Sequence, residues 1–333
     1  MQLAIVILNW NGKELLKQFL PSILKHSPND NTTIYVADNA STDDSVAVVK
    51  KLFPTIKIIE NSENFGFAKG YNEALKNIKA DIYALVNSDI EVSPKWCDAI
   101  LNQFKDAAIV AVQPKIKDYK NKSKFEYAGA AGGFLDAYGY PFCQGRIFDT
   151  VEKDDGQFDV SKEIFWASGA CLFVRSVSFW QVGGFDSDFF AHQEEIDLCW
   201  RLNNLGYKIV YEPKSTVYHI GGATLTTGSP QKTLLNFRNS LWMLTKNLPK
   251  RKLYSRLFVR LSLDGIAAIR FLIQLKPKHF FAILKAHLGF YRKLRHNLKK
   301  REIEQRLDYY HSKNIVYQYF VGKRKKFKNL NHI

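Results

Sequence analysis

Apolar and polar positions follow two distinct rhythms along the N-terminal third of the chain. Leu3 to Leu8 is an unbroken apolar run, the pattern of a strand covered on both faces. From Lys13 to Lys25, Leu15, Leu16, Phe19, Leu20, Ile23 and Leu24 recur at helical spacing. Thr33 to Ala37, Ile56 to Ile59 and Ile82 to Val86 read as three more strands, with helices predicted over Asp43 to Leu52 and Ala68 to Ile78. Strands joined by helices of this length need right-handed crossovers and pair in parallel. The pattern therefore predicts an α/β fold, a mostly parallel sheet flanked by helices. Ligands on such sheets bind beyond the carboxyl ends of the strands.

The rhythm changes farther along. Residues 118–159 are rich in glycine and aromatics, with turn signals such as Tyr138-Gly139-Tyr140-Pro141, and read as hairpins and loops over one side of the sheet. Strand character returns from Phe165 to Val174 around Ser168-Gly169-Ala170. A short helix is expected after Gly184, and another from Glu194 to Leu205 that Gly206 ends. Lys208 to Tyr211 and Ser215 to His219 are expected as short final strands. This divides the chain into a catalytic domain over 1–247, with halves 1–117 and 118–247, and a helical appendage over 248–333.

Charge sharpens that division. The 333 residues carry a formal net charge of +16, but from Lys246 onward there are 23 Lys and Arg against 4 Asp and Glu. The first 245 residues hold 25 basic and 28 acidic groups, so the basic character belongs to the tail and the two parts have different work. A hydrophobic content of 46% supports a sizeable core. Cys97, Cys143, Cys171 and Cys199 are widely spaced with no C-x-x-C pair, which reads as reduced buried thiols rather than a disulfide framework. Met1 runs straight into the first strand without a charged leader, so the start is expected to be structural and the protein to face the cytoplasm.

The strand ends concentrate amides, carboxylates and glycines. They are Asn9-Trp10-Asn11-Gly12, Asp38-Asn39-Ala40-Ser41-Thr42-Asp43, the stretch from Asn61 to Gly70, and Asn87-Ser88-Asp89. This suits a nucleotide: Asp38 can accept from a base or ribose, and Gly66 and Gly70 let backbone approach closely. Asp89, directly after a buried strand and beside the expected diphosphate, is placed to ligate Mg²⁺ or Mn²⁺. Taken singly, Ser41 or Asn72 reads first as a helix cap. A second region, Gly183-Gly184-Phe185-Asp186 through Glu194-Glu195-Ile196-Asp197, opens a helix with three carboxylates in four residues. Acids there favour the helix dipole, but a carboxylate so placed could also take a proton from an attacking hydroxyl. His219, before Gly221-Gly222, is a further candidate metal ligand.

In this order and spacing, LNWNG, ADNASTD, Asn64 to Asn72, NSD, the SGA segment and GGFD…EEIDLCWR resemble a family 2 glycosyltransferase with the GT-A fold. The subgroup is similar to bacterial enzymes of rhamnosyltransferase type that build surface polysaccharides. The resemblance runs from about Leu3 to Asn247. It implies that Asn9, Asp38 and Asn64 lie around the nucleoside of a nucleoside-diphosphate sugar, and Asn11, Gly66, Gly70, Asn87 and Ser88 complete the expected binding set. It implies that Asp89 is the last acid of a D-x-D metal motif whose first position is here Asn87, and that His219 joins it on Mg²⁺ or Mn²⁺. Glu195 falls on the catalytic-base position with Glu194 as its rival, and the reaction inverts the anomeric carbon.

The tail carries an apolar stretch, Leu257 to Leu275, interrupted by Arg260, Asp264 and Arg270, and a second amphipathic pattern over His279 to Leu298. Neither suits a membrane span. Basic clusters such as Lys323-Arg324-Lys325-Lys326 suit helices lying at a membrane surface, on the inner face of the cell membrane, near a saccharide or lipid-linked saccharide acceptor. The alternative is a helical pair packed on the catalytic domain. A nicotinamide dehydrogenase would need G-x-G-x-x-G after the first strand, and Asn9-Trp10-Asn11-Gly12 is not that. A nucleic-acid-binding module on an α/β domain would explain the basic tail but leaves the acidic sites without purpose, so no nucleic-acid partner is expected.

Overall fold

The computed structural model describes residues 1–28, 30–221, 228–301 and 305–332; Gly222 of the glycine pair lies outside them. The N-terminal half alternates as its pattern requires. It runs β1 (Leu3–Asn9), α1 (Lys13–His26), β2 (Thr32–Asp38), α2 (Ser45–Leu52), β3 (Lys57–Glu60), α3 (Gly66–Leu75) and β4 (Ile82–Asn87). Strand β1 is parallel to β2 and β4, and β2 to β3. Along β1, Ala4 and Val6 enter one hydrophobic cluster while Leu3, Ile5 and Ile7 enter another. That is why the run is apolar throughout: alternate side chains serve opposite faces of one sheet.

The sheet continues through β5 (Ile90–Val92), α4 (Trp96–Gln103) and β6 (Ile109–Asp118). The next strands, β7 (Gly133–Leu135), β8 (Pro141–Cys143), β9 (Arg146–Ile147) and β10 (Thr150–Val151), form a separate antiparallel sheet, the hairpins expected of the glycine-rich segment. Strand β11 (Lys162–Ile164) and β12 (Cys171–Arg175) rejoin the main sheet, and α5 (Ser176–Gln181), α6 (Glu194–Asn204) and β13 (Lys208–His219) follow. The main-sheet order is β11-β13-β6-β12-β4-β1-β2-β3, with β5 on β13. β12 is antiparallel to both β4 and β6.

Three local expectations are corrected. Ser168-Gly169-Ala170 is not strand but the turn that enters β12, where Ser168 Oγ accepts from Ala170 N at 3.2 Å. The helix expected after Gly184 lies before it, as α5, because Gly183 and Gly184 both take positive φ and stop it. The two short final strands are one, β13, with a register irregularity between Glu212 and Thr216 that spans Pro213.

Helix α7 (Pro230–Asn247) leads to α8 (Leu253–Ile273), α9 (Pro277–Arg292), α10 (Leu294–Lys299) and α11 (Ile315–Phe320). This basic helical region shares the main core. Tyr309 stacks on Trp200 of α6 at 4.9 Å, and its hydroxyl donates to Ala137 O at 2.6 Å. Phe327 packs on Phe134 and Phe142 of the second sheet. Asp136, fully buried, accepts from the backbone of Tyr138, Tyr140 and Ile315 and so pins α11 to that sheet. Among the described residues no helix is long and apolar enough to cross a membrane. All four cysteines are buried free thiols.

Candidate functional site

The loops after β1, β2 and β3 are laced together by the residues their strands deliver. Asn9 Nδ2 donates to Asp38 Oδ1 at 2.8 Å and to Ser41 Oγ at 3.1 Å. Asp38 is 2% exposed and also accepts from Ser41 N at 2.8 Å and Ser41 Oγ at 2.6 Å. Much of its accepting capacity thus goes to shaping the loop, while Asn9 Oδ1 is buried without a partner among the described residues. Asn11, at φ 52°, accepts from Thr42 N at 2.7 Å. Asn39 bridges the second and third loops, donating to Gly66 O at 2.8 Å and accepting from Asn61 at 2.8 Å. A Cβ on Gly70 would sit 2.6 Å from Asn39, which accounts for that glycine. Asn64 Oδ1 accepts from Gly66 N at 3.0 Å.

Gly66 ties this group to the acidic helix. Its φ is +74°, and an added Cβ would lie 2.5 Å from Phe190 O, the carbonyl that accepts from Phe67 N at 2.7 Å. Phe190 begins the loop that aims Glu194 and Glu195. We expect Gly66→Ala to cost about 1–3 kcal/mol through the left-handed backbone alone. It should also lower turnover by shifting Phe190; urea unfolding and steady-state assays that match the parent in both respects would refute this.

Beyond β4, Asp89 and His219 meet. Asp89 Oδ1 is 3.1 Å from His219 Nε2, and Oδ2 accepts from Gly221 N at 3.2 Å. Asn87 Nδ2 lies 3.4 Å from the same His219 nitrogen, and Ser88 flanks it, 3.7 Å from where a Gly12 Cβ would stand. Glu126 completes the row, its Oε2 3.1 Å from His219 Nδ1. Burial alone would lower the His219 pKa, but the flanking Asp89 and Glu126 carboxylates carry it up to about 10. His219 thus stands between two carboxylates, Asp89 at Nε2 and Glu126 at Nδ1, and would give up a proton on taking a metal. Mn²⁺ or Mg²⁺ usually takes one or two protein ligands and completes its shell with phosphate oxygens and water. The donor set fits that use, although no preformed cage of three or more ligands exists among the described residues.

On the other side of the cleft, α6 starts abruptly. His192 and Gln193 are consecutive left-handed residues, φ 72° and 74°, and Asn239 of α7 holds the turn by donating to Ala191 O and His192 O at 2.9 and 2.8 Å. Such backbone persists only where its surroundings over-determine it, and it clusters at functional sites. The turn presents Glu194 and Glu195, each with an Oε2 that is buried and unpartnered among the described residues. Burial, opposed by backbone hydrogen bonds, raises the Glu195 pKa to about 7; burial and its neighbour Glu195 raise that of Glu194. Asp197, the third acid, is not free for chemistry. It is fully buried and accepts from Arg201 Nε at 2.9 Å, Lys246 Nζ at 2.8 Å and Asn247 Nδ2 at 2.8 Å.

One turn links the two sides. Ala170 O accepts from Asn87 N at 3.0 Å, while a Cβ on Gly169 would come within 3.7 Å of Glu195 Cβ. Cys143 feels the charge of both Glu126 and Glu195. The 168–170 turn therefore touches both groups, bonding the end of the strand that leads to Asp89 and standing against Glu195, whose pKa burial raises. Sequence reading missed Glu126 and Asn239. Glu126 sits in an irregular loop and Asn239 mid-helix, with no strand end or motif to mark either.

A GT-A-like α/β enzyme is the class this fold defines. The glycosyl transferase family 2 model matches residues 4–181, and the chain belongs to that family. Its activity is that of a sugar-nucleotide-dependent glycosyltransferase. The N-acetylglucosaminyl-diphospho-decaprenol L-rhamnosyltransferase of Mycobacterium tuberculosis is 27% identical over 236 residues, covering 65% of this chain and 75% of that one. Among solved structures, GalNAc-T7 with UDP, GalNAc and Mn²⁺ is similar at TM-score 0.59 and 15% identity, over 94% of this chain and 59% of that chain. The mannosyltransferase PcManGT from Pyrobaculum calidifontis, with GDP-Man and Mn²⁺, is similar at TM-score 0.53 and 14% identity, over 87% of each chain.

Proposed function

We propose that the chain transfers a sugar, with inversion, from a nucleoside-diphosphate sugar to a hydroxyl of a saccharide, and that the acceptor is lipid-linked and serves surface polysaccharide synthesis. One observation carries the reaction: the 168–170 turn bonds Asn87, two residues before Asp89 of the Asp89–His219 pair, and stands against Glu195, whose Oε2 is buried without a partner among the described residues. The rhamnosyltransferase name of the Mycobacterium tuberculosis relative supports a deoxyhexose donor and a polyprenyl-diphosphate acceptor.

In this reading Asn9, Asn11, Asp38, Asn64, Gly66 and Gly70 shape the nucleoside end of the cleft, and Asn87 and Ser88 face the diphosphate. Asp89 and His219 would hold Mg²⁺ or Mn²⁺, which when bound neutralises charge on the departing diphosphate. Glu195, deprotonated, takes the acceptor's hydroxyl proton. The freed oxygen bonds to the anomeric carbon from the face opposite the diphosphate, whose C–O bond breaks with both electrons leaving on the nucleotide. Glu126 orients His219, and Asn239 orients the loop that carries the base. The basic C-terminal helices suit a cytoplasmic enzyme working against the inner face of the cell membrane.

The donor side is tested by thermal stability. A nucleoside diphosphate at 100 times its Kd with Mn²⁺ should stabilise the parent by about 2.7 kcal/mol. Asp89→Ala should lose the Mn²⁺-dependent part of that gain. Equal Mn²⁺-dependent stabilisation of parent and variant would remove Asp89 from the metal site.

A further inference from the structure

Helix α8 buries charge beside Leu253, Leu257 and Ala268 on its protein-facing side. Its protein-facing side carries a buried ion pair, Arg260 Nε donating to Asp264 Oδ1 at 2.9 Å. The Arg260 guanidinium lies 3.8 Å over the Tyr140 ring and reaches the carbonyls of Tyr138 and Gly139, while Tyr140 Oη donates to Asp264 at 3.1 Å. The charges that interrupt the apolar stretch therefore face protein. The opposite stripe, Tyr254, Phe258, Ile266, Ile269 and Ile273, recurs at three- and four-residue spacing and is exposed, Phe258 at 72% and Ile273 at 77%. Helix α9 is apolar on both sides. Ala282, Ile283, Ala286 and Phe290 are buried, and Phe281, Leu284, Leu288 and Tyr291 stand outside. Leu275, in the connecting turn, is 88% exposed. A helix bathed in water keeps its apolar stripe inward. Eleven of the 22 large apolar side chains exposed among the described residues fall between Tyr254 and Tyr291, so the patch is concentrated rather than scattered.

Charge selects the occupant. Residues 253–300 contain eleven Lys and Arg and one acid, Asp264, which is the buried one. A second copy would bring two positive faces together, whereas an anionic phospholipid surface complements both the apolar stripe and its basic rim. Position agrees. His279 Nδ1 at the start of α9 is 2.8 Å from Thr233 Oγ1 on α7, and Asn236, one turn on, accepts from Gln193 Nε2 at 3.3 Å, the residue before Glu194. The hairpin turn thus lies beside the base flank of the cleft.

We propose that the outward face of the α8–α9 hairpin docks on an anionic phospholipid bilayer, lying in its interface and holding the base side of the cleft against the membrane. This names the surface behind the membrane reading above and rests on that reading for its purpose. Docking itself is measured with neither donor nor acceptor present, so its failure and that of the reaction assignment are distinguishable.

The test is flotation of the full chain with vesicles of phosphatidylcholine alone or mixed with phosphatidylglycerol. The parent should float with the mixed vesicles and lose most of that binding in high salt. Phe258→Ser, Ile273→Ser and Leu275→Ser combined should weaken binding about a hundredfold. Those side chains are exposed, so the variant's unfolding temperature should match the parent's. Serine at Val160 and Val177, exposed apolar residues far along the chain, should leave flotation unchanged. Arg270→Gln, Lys276→Gln and Lys278→Gln combined should abolish the preference for the anionic mixture. A parent that fails to float, or a triple-serine variant that floats as well as the parent, overturns the proposal. So does a dimer that the same three serines break in the absence of any vesicle binding.

Discussion

Glu195→Gln should lower turnover by about 10² to 10⁴-fold while leaving nucleotide-dependent stabilisation intact, because it removes a proton acceptor and little else. The amide fits the space of the carboxyl, and Oε2 has no partner to lose among the described residues. The pKa of about 7 adds a second signature, since a base works deprotonated and kcat/KM should therefore rise with pH through about 7. Stability runs the other way. A carboxyl whose folded pKa is raised binds its proton more tightly in the native state, so its favourable contribution holds at low pH and is lost as pH rises through the folded value. Glu195→Gln should accordingly be more stable than the parent above pH 7, a common trade at catalytic groups. Glu194→Gln is the companion measurement. Should Glu194→Gln abolish turnover and Glu195→Gln preserve it, the base is Glu194.

Lys246→Met should be the most damaging single change to stability, by about 3 kcal/mol in urea unfolding. Lys246 Nζ is buried between Asp197 at 2.8 Å and Asp186 at 2.7 Å. Asp186 passes the network on to Lys300, which also pairs with Asp188 at 2.7 Å, so α6, α7 and α10 are joined by alternating charge. Removing the central cation leaves two buried carboxylates short of a partner, and that desolvation is the origin of the loss. Adding Asp197→Asn to Lys246→Met should recover part of it, and strict additivity of the two changes would argue against a shared network. Because the acidic helix is anchored here, the Met variant should also lose turnover at temperatures where it remains folded. The same network sets an acid limit. Despite its burial, Asp186 is pulled down to about 2 by Lys246 and Lys300, so its stabilisation holds above the ordinary 3.8 and fades as pH falls toward 2.

Much of the donor half was legible before any coordinates. A parallel sheet buried on both faces writes itself as continuous apolar runs, and polar residues after such strands are at the ligand edge by topology. Asn9, Asp38, Asn87 and Asp89 are singled out that way as candidates, and Asp89 lies 3.1 Å from His219 despite their distance along the chain. The strand at Ser168 and the helix after Gly184 were misread because isolated small residues and paired glycines specify turns only through φ, which a hydrophobicity pattern does not carry. Among the three acids of α6, spacing alone does not single out Asp197 as the one bound into ion pairs. Lys246 and Asn247, which claim Asp197, arrive from another helix.

The tail shows the same division from the other side. Its excess of positive charge and its helical periodicity follow from composition and spacing alone, since both are one-dimensional properties. Which stripe of α8 faces inward did not follow. Arg260 and Asp264 look like the polar face of an ordinary amphipathic helix until Tyr138, Gly139 and Tyr140 supply them with hydrogen-bond partners. Periodicity determines that a helix has two faces; only partners brought together by the chain's folding decide which face the protein buries, because a buried charge is tolerable where its bonds are satisfied and nowhere else.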